Sequence, residues 1–184
     1  MMRWSAGLSA VLGLSLGCAV ACGGGSEVEQ TRSIATKRVS FDYPASWALD
    51  SAQGRNEGLF SGVHAVSGGA SARVVVKAYD AQAPFSAADV ADMFIDDLRR
   101  QQDGSSLEVT GRGPARATIG GVSVEGAQVR LDRTTGGIAV AHTVEAFTVQ
   151  TEKRIATVVV QVADADRAVE GPGIERVLGT LKLY

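Results

Sequence analysis

Apolar and polar residues alternate along most of the chain beyond residue 37. In Arg38-Val39-Ser40-Phe41-Asp42-Tyr43, the residues Val39, Phe41 and Tyr43 fall on one side of an extended run, which predicts a half-buried strand. Pro44 interrupts pairing, and Ser46-Trp47-Ala48-Leu49 resumes an extended run. Residues 51–57 read as a loop. A weaker strand runs from Leu59 to Val66 and ends at Gly68-Gly69. From Ser71 to Tyr79 the alternation is stronger. Val74, Val76 and Ala78 face one side, and Arg73, Lys77 and Tyr79 face the other.

The period then changes. Ala87, Val90, Ala91, Phe94 and Leu98 recur at spacings of three and four, the stripe of an amphipathic helix over 86–102. Ser86-Ala87-Ala88-Asp89 supplies a capping-box start, with Asp in place of Glu. Asp96 and Asp97 stand three residues before Arg99 and Arg100, an ion-pairing distance on a helix.

Strands dominate again afterwards. Residues 106–118 predict an irregular strand broken near Gly113-Pro114, followed by a turn at Gly120-Gly121. Val122 to Asp132 is a strand whose alternation shifts at Gly126, which suggests a bulge there. Thr134-Thr135-Gly136-Gly137 marks a hairpin turn. Ile138 to Gln150 and Arg154 to Ala163 pair around Thr151-Glu152-Lys153, with Val158, Val160 and Val162 on the core face. A closing helix is expected over 174–181, with Pro172 at its start and Ile174, Val177, Leu178 and Leu181 as its stripe. Strands joined by hairpin-length links, with two helices, argue an α+β domain whose antiparallel sheet is covered by helices.

The N-terminus has another character. Residues 1–22 place one cation, Arg3, before an uncharged apolar stretch and small residues, the order of a secretory signal. Both cysteines of the chain, Cys18 and Cys22, fall at its end, each after a small residue. This resembles the lipobox of bacterial lipoproteins, in which the cysteine takes a diacylglyceryl group and becomes the first residue after cleavage. Neither cysteine has the preferred Leu three positions earlier: Ser15 and Ala19 stand there. Cys22 is favoured, with Cys18 as the alternative, because Gly23-Gly24-Gly25-Ser26 follows Cys22 as a flexible run. A plain membrane anchor over Trp4–Ser26 is the competing reading, weakened by its Gly and Ser content. Residues 23–36 are polar and aperiodic and read as a tether of roughly 20 Å r.m.s. reach. The folded domain is then expected over 37–184.

Composition narrows the rest. The chain has 184 residues, 45% hydrophobic and 21% charged, which is ordinary for a globular domain. A net charge of −2 offers no basic field for nucleic acid. Two cysteines cannot complete a zinc site, and beyond residue 22 no thiol remains.

The run Val39-Ser40-Phe41-Asp42-Tyr43-Pro44-Ala45-Ser46-Trp47 resembles the opening of PsbP-like domains, which include DcrB-type and LpqN-type bacterial lipoproteins. Later features follow in order: the 71–79 strand, the 86–102 helix, the Thr118-Ile119-Gly120-Gly121 turn, long hairpins and the ending Leu181-Lys182-Leu183. The resemblance covers about residues 37–184. It implies an αβα sandwich with a central antiparallel sheet, and no shared catalytic residues. Pro44 would end one strand, and Trp47 would pack the next under a helix.

Candidate chemistry is sparse. His64 and His142 are the two histidines, both in predicted strands. His142 shares a face with Ile138, Val140 and Val144, so a core or edge histidine is the ordinary reading. Neither has a His-x-His or Glu-x-x-His spacing, so no metal site is expected. Gly62 and Gly68-Gly69 lack the G-x-S-x-G order of a nucleophile elbow, and Gly111-x-Gly113 lacks the third glycine of a dinucleotide loop. Nothing singles out a glycosidase pair among 20 acidic residues. Arg112, Arg116, Arg130 and Arg133 read ordinarily as a solvated rim, or else as one patch for an anionic partner or lipid head group. The expectation is a lipid-anchored, non-catalytic protein of the bacterial envelope, without cofactor, that docks on another envelope protein. The alternative is a binder of a small hydrophobic ligand, or a chaperone of apolar segments, using a groove between sheet and helices.

Metabolic palmitate labelling separates the two cysteines. Label is expected to vanish in Cys22→Ala and persist in Cys18→Ala. Label that survives both changes rejects the lipoprotein reading.

Overall fold

The computed structural model describes residues 30–50, 60–69, 71–80, 85–101 and 105–184. Cys18, Cys22 and the 51–57 loop lie outside them. The elements are β1 (Thr31–Ala35), β2 (Val39–Pro44), β3 (Ala48–Asp50), β4 (Phe60–Val66), β5 (Ala72–Tyr79), α1 (Ala87–Arg100), β6 (Ser106–Ile119), β7 (Val122–Thr135), β8 (Ile138–Gln150), β9 (Ile155–Ala163), α2 (Arg167–Thr180) and β10 (Lys182–Leu183). One 3-10 turn, Asp164–Asp166, leads into α2.

All strand pairs are antiparallel, in two sheets. The larger sheet has seven strands in the order β3-β4-β5-β9-β8-β7-β6, and the smaller has three, β1-β2-β10. Helix α1 covers one face of the larger sheet. There Val90, Ala91, Ile95 and Leu98 pack on Val75, Val129, Leu131, Val144, Ala146 and Val159. The other face is covered by α2 and the small sheet together, through Ile174, Val177 and Leu178 beside Val39, Phe41 and Tyr43. The result is the expected αβα sandwich, with a small sheet sharing the second outer layer.

The local readings hold at most elements. Ser86 Oγ accepts the Asp89 N–H at 3.2 Å and the Asp89 carboxylate accepts the Ser86 N–H at 2.9 Å, so the capping box is complete. Asp96–Arg99 and Asp97–Arg100 both pair. Ile95 joins the buried stripe, and Phe94 is only half-buried, under the Arg73 guanidinium 5.5 Å from its ring centre.

Four expectations are corrected. Residues 31–35, assigned to the tether, form β1. They pair with β2 from Thr31↔Pro44 to Ala35↔Ser40. This strand is held by backbone pairing at a sheet edge, so it needs no apolar alternation. Second, β6 is not broken near Gly113-Pro114 but runs through them. Third, the bulge lies at Thr110 in β6 and not at Gly126, whose pairs with Ala115 and Phe147 are in register. Gly126 is required by closeness: a Cβ there would stand 2.3 Å from the Ala146 carbonyl oxygen and 2.5 Å from Phe147 Cδ1. Fourth, α2 begins at Arg167, so Pro172 sits inside it rather than at its start. Two side-chain bonds hold the extra turn: Ser71 Oγ donates to Glu170 at 2.9 Å, and Arg167 to Glu145 at 2.7 Å.

The chain crosses from the small sheet to the large one at Pro44-Ala45-Ser46-Trp47, where the Trp47 N–H donates to the Pro44 carbonyl at 3.0 Å. Trp47 is 4% exposed and lies against α2. A Cβ on Gly173 would come within 2.8 Å of Trp47 Cζ2 and 3.0 Å of Pro44 Cγ. The indole therefore occupies the space a side chain on α2 would need. Trp47→Ala is expected to cost about 3–5 kcal/mol, and Gly173→Ala about 1–3 kcal/mol through overpacking. Urea denaturation followed by circular dichroism measures both. Loss of less than about 1 kcal/mol in Trp47→Ala would contradict a core role.

Candidate functional site

A concavity of about 570 Å³ lies between α2 and the sheet. Ala117, Ile174 and Leu178 supply its apolar lining, and Arg116, Glu145, Arg167 and Glu175 supply its charge. Gly171 and Gly179 of α2 also line it, and a Cβ at either would meet nothing within 4 Å. Packing does not demand glycine there, so the two glycines leave the groove open. A cation at the first position of a helix opposes the helix dipole, by about 0.3–1 kcal/mol. Arg167 is held there by Glu145, which also accepts from Gln128 Nε2 at 3.4 Å. The groove thus has an apolar floor and charged walls, with Arg167 and Glu145 ion-paired across it. It can take an amphiphilic guest, and a purely apolar one would leave its charged walls unsolvated.

The four arginines singled out from the sequence do not converge. By register, Arg112 stands opposite Val129 on the α1 face, and it pairs with Asp92 of α1 at 2.6 Å. Arg116 pairs with Glu125 at 2.8 Å, and Arg133 donates to Ser105 at 3.2 Å. Arg130 has the opposite parity to Arg133 on the same strand, so it faces the other side, beside Gly111. The single-patch reading fails because two faces share the four cations and counter-ions occupy two of them.

The histidines stay apart from one another and from the groove. His64 is half-buried in β4 opposite Val75. His142 Nδ1 donates to the Val140 carbonyl at 2.9 Å. Its face is buried only toward Val144, since Ile138 is 71% exposed. A smaller hollow of about 300 Å³ beside it is lined by Arg133, Ile138, Val140 and Asp166. Among the described residues no group of three or more His, Cys, Asp or Glu is placed to hold a metal ion. Gly111 and Gly113 lie within β6 and form no loop.

A second cluster has no signal in the sequence. Asp80, just past β5, accepts from Arg38 Nε at 2.9 Å and pairs through its other oxygen with the same guanidinium. Arg154, just before β9, pairs with it as well. Three segments distant in sequence are thereby tied at one end of the sandwich. The hydrogen bond from Arg38 is the main reason the Asp80 carboxyl is held below its usual range, with the charges of both arginines adding to it.

No protein-family model matches the chain, and no curated protein matches it in sequence. Among solved structures, cyanobacterial PsbP (CyanoP) from Synechocystis sp. PCC 6803 aligns with a TM-score of 0.51 at 12% identity, over 90% of this chain and 99% of that one. LpqN of Mycobacterium tuberculosis, described as involved in cell envelope biogenesis, aligns at 0.42 and 10% identity, over 84% and 90% of the two chains. The Saccharomyces cerevisiae Ran-binding protein Mog1p aligns at 0.44 and 6% identity, over 84% and 96%. The first of these shows the fold. The fold is PsbP-like, as the resemblance carried by the Tyr43-Pro44-Ala45-Ser46-Trp47 run implies, and at such identity the likeness extends to architecture alone.

The Asp80 cluster makes stability depend on pH in a stated direction. A carboxyl lowered in the folded state stabilises above its unfolded value, about 4, and loses that contribution as pH falls through the lowered value. Asp80→Asn is therefore expected to melt below the parent at pH 7, with the gap closing in acid. Thermal melts from neutral to acid pH measure this, and a gap that is constant with pH would contradict it.

Proposed function

We propose that this protein is a non-catalytic lipoprotein of the bacterial envelope, anchored through Cys22, whose PsbP-like domain serves as an accessory module docking on another envelope protein. The observation that carries the reading is the join between signal and domain. Residues 1–22 carry the features of a lipoprotein signal, and β1 begins at Thr31. Residues 23–30 would then hold the domain about 16 Å r.m.s. from the lipid, short enough to keep it at the membrane surface. The PsbP-like fold supports a module that presents surfaces instead of a reaction centre.

The groove supports a second reading, a ligand binder. Its ion-paired walls favour an amphiphile over the wholly hydrophobic guest expected from sequence.

Purification of tagged full-length chain from native membranes, with mass spectrometry of proteins and lipids, tests both readings. A defined envelope protein is expected to co-purify with the parent and with Gly171→Leu, and to be lost with Cys22→Ala. A lipid or small molecule that co-purifies with the parent and is lost with Gly171→Leu, without a protein, replaces the docking reading with the second.

A further inference from the structure

Among the described residues, strand β6 is an edge of the seven-stranded sheet with no strand on its outer side, and it is 14 residues long. A long edge presents unpaired N–H and C=O groups on which a second copy of the chain can build. The β6–β7 hairpin determines which groups these are. Gly120 and Gly121, with φ of 58° and 83°, form a two-residue turn between Ile119 and Val122. The pair flanking such a turn is hydrogen-bonded, and bonded and non-bonded pairs alternate from there. The register is unbroken back to Gly111. Counting along it, Ala117 and Ala115 bond inward to β7, while Thr118, Arg116, Pro114 and Arg112 turn their main-chain groups outward.

Pro114 therefore stands in the middle of the outward row and has no N–H to offer. The β7 ladder loses nothing by it, which is why the strand runs unbroken through a proline. The two neighbours in that row, Arg112 and Arg116, are exposed cations. An antiparallel second copy centred on Pro114 would set Arg112 opposite the copy's Arg116, like charge against like. The bulge at Thr110 bends the remaining edge.

We propose that Pro114, backed by the Thr110 bulge and by Arg112 and Arg116, guards β6 against pairing with β6 of a second copy of this chain. Pro114→Val restores an outward donor at an exposed position and leaves the β7 ladder intact. Sedimentation velocity of the full chain in non-ionic detergent, over a concentration series, is the measurement. The parent is expected to keep one mass, and Pro114→Val to rise toward twice that mass or beyond. Hydrogen exchange adds a local readout: the amide introduced at position 114 is expected to exchange fast in dilute chain and to slow on association. Arg116→Thr, which retains the proline, is expected to keep the mass of the parent. The proposal is overturned by a folded Pro114→Val chain that keeps the parent mass, or by a parent that associates equally. Association of Arg116→Thr as strong as that of Pro114→Val overturns it too. A Pro114→Val chain that fails to fold does the same, since an outward, exposed position tolerates valine.

Discussion

Strand β9 is buried along all nine of its residues, so the centre of the large sheet must be covered on both faces. That requirement organises the molecule. Val159 faces α1, while Val158, Val160 and Val162 face α2 and the small sheet. A helix with its side chains is about 10 Å across, and strands lie about 4.8 Å apart, so one helix shields little more than two strands. The α2 face is wider than that, and β2 fills the remainder with Val39, Phe41 and Tyr43. Trp47 makes this possible, since its indole fits the gap left by Gly173 and fixes the small sheet to the helix.

Cover runs out toward β6, β7 and β8, and there the groove forms. The hairpin is kept in place at its turn: Gly120 N–H donates to the Leu178 carbonyl at 2.9 Å, and a Cβ on Gly120 would stand 2.6 Å from the Leu181 carbonyl oxygen. Beyond that anchor the helix rises over the sheet with glycines at 171 and 179. The partly shielded sheet positions beneath it carry polar residues such as Gln128 and Glu145. A wholly apolar face left open at this point would invite association. The Arg167–Glu145 ion pair across the opening keeps it solvated.

The parts of the fold readable from sequence are those where one face is buried. Val39, Phe41 and Tyr43, the 90–98 stripe and the Ile174–Leu181 stripe are legible because burial imposes a period. Strand β1 is not, since Thr31 to Ala35 pair at an edge where Ile34 alone packs against the core and no alternation results. The first turns of α2 give no stripe because Arg167 to Gly171 overhang the groove and are held by Glu145 and Ser71 instead. The candidate site is hidden for a related reason. Arg116, Glu145, Arg167 and Glu175 come from a strand edge, a central strand and a helix. Only the packing of α2 on the sheet brings them together, and no local spacing encodes it. The Asp80 cluster joins positions 38, 80 and 154 in the same way.

The Thr110 bulge also leaves no signature, yet it resolves an otherwise odd pattern in β6. Every odd-numbered residue from Leu107 to Ala117 is half-buried, although the sheet has two faces with different covers. Leu107 and Val109 pack with the α1 cluster, whereas Ala115 and Ala117 pack with the α2 cluster. In a regular strand, odd positions would share one face. One extra residue at Thr110 reverses the parity, so the same sequence alternation serves α1 before the bulge and α2 after it. It also turns Arg112 onto the α1 face, where it reaches Asp92. A single strand can then close the ends of two cores, one on each side of the sheet. The size of its residues follows the cover: Leu and Val where α1 is near, Ala where the groove must stay open.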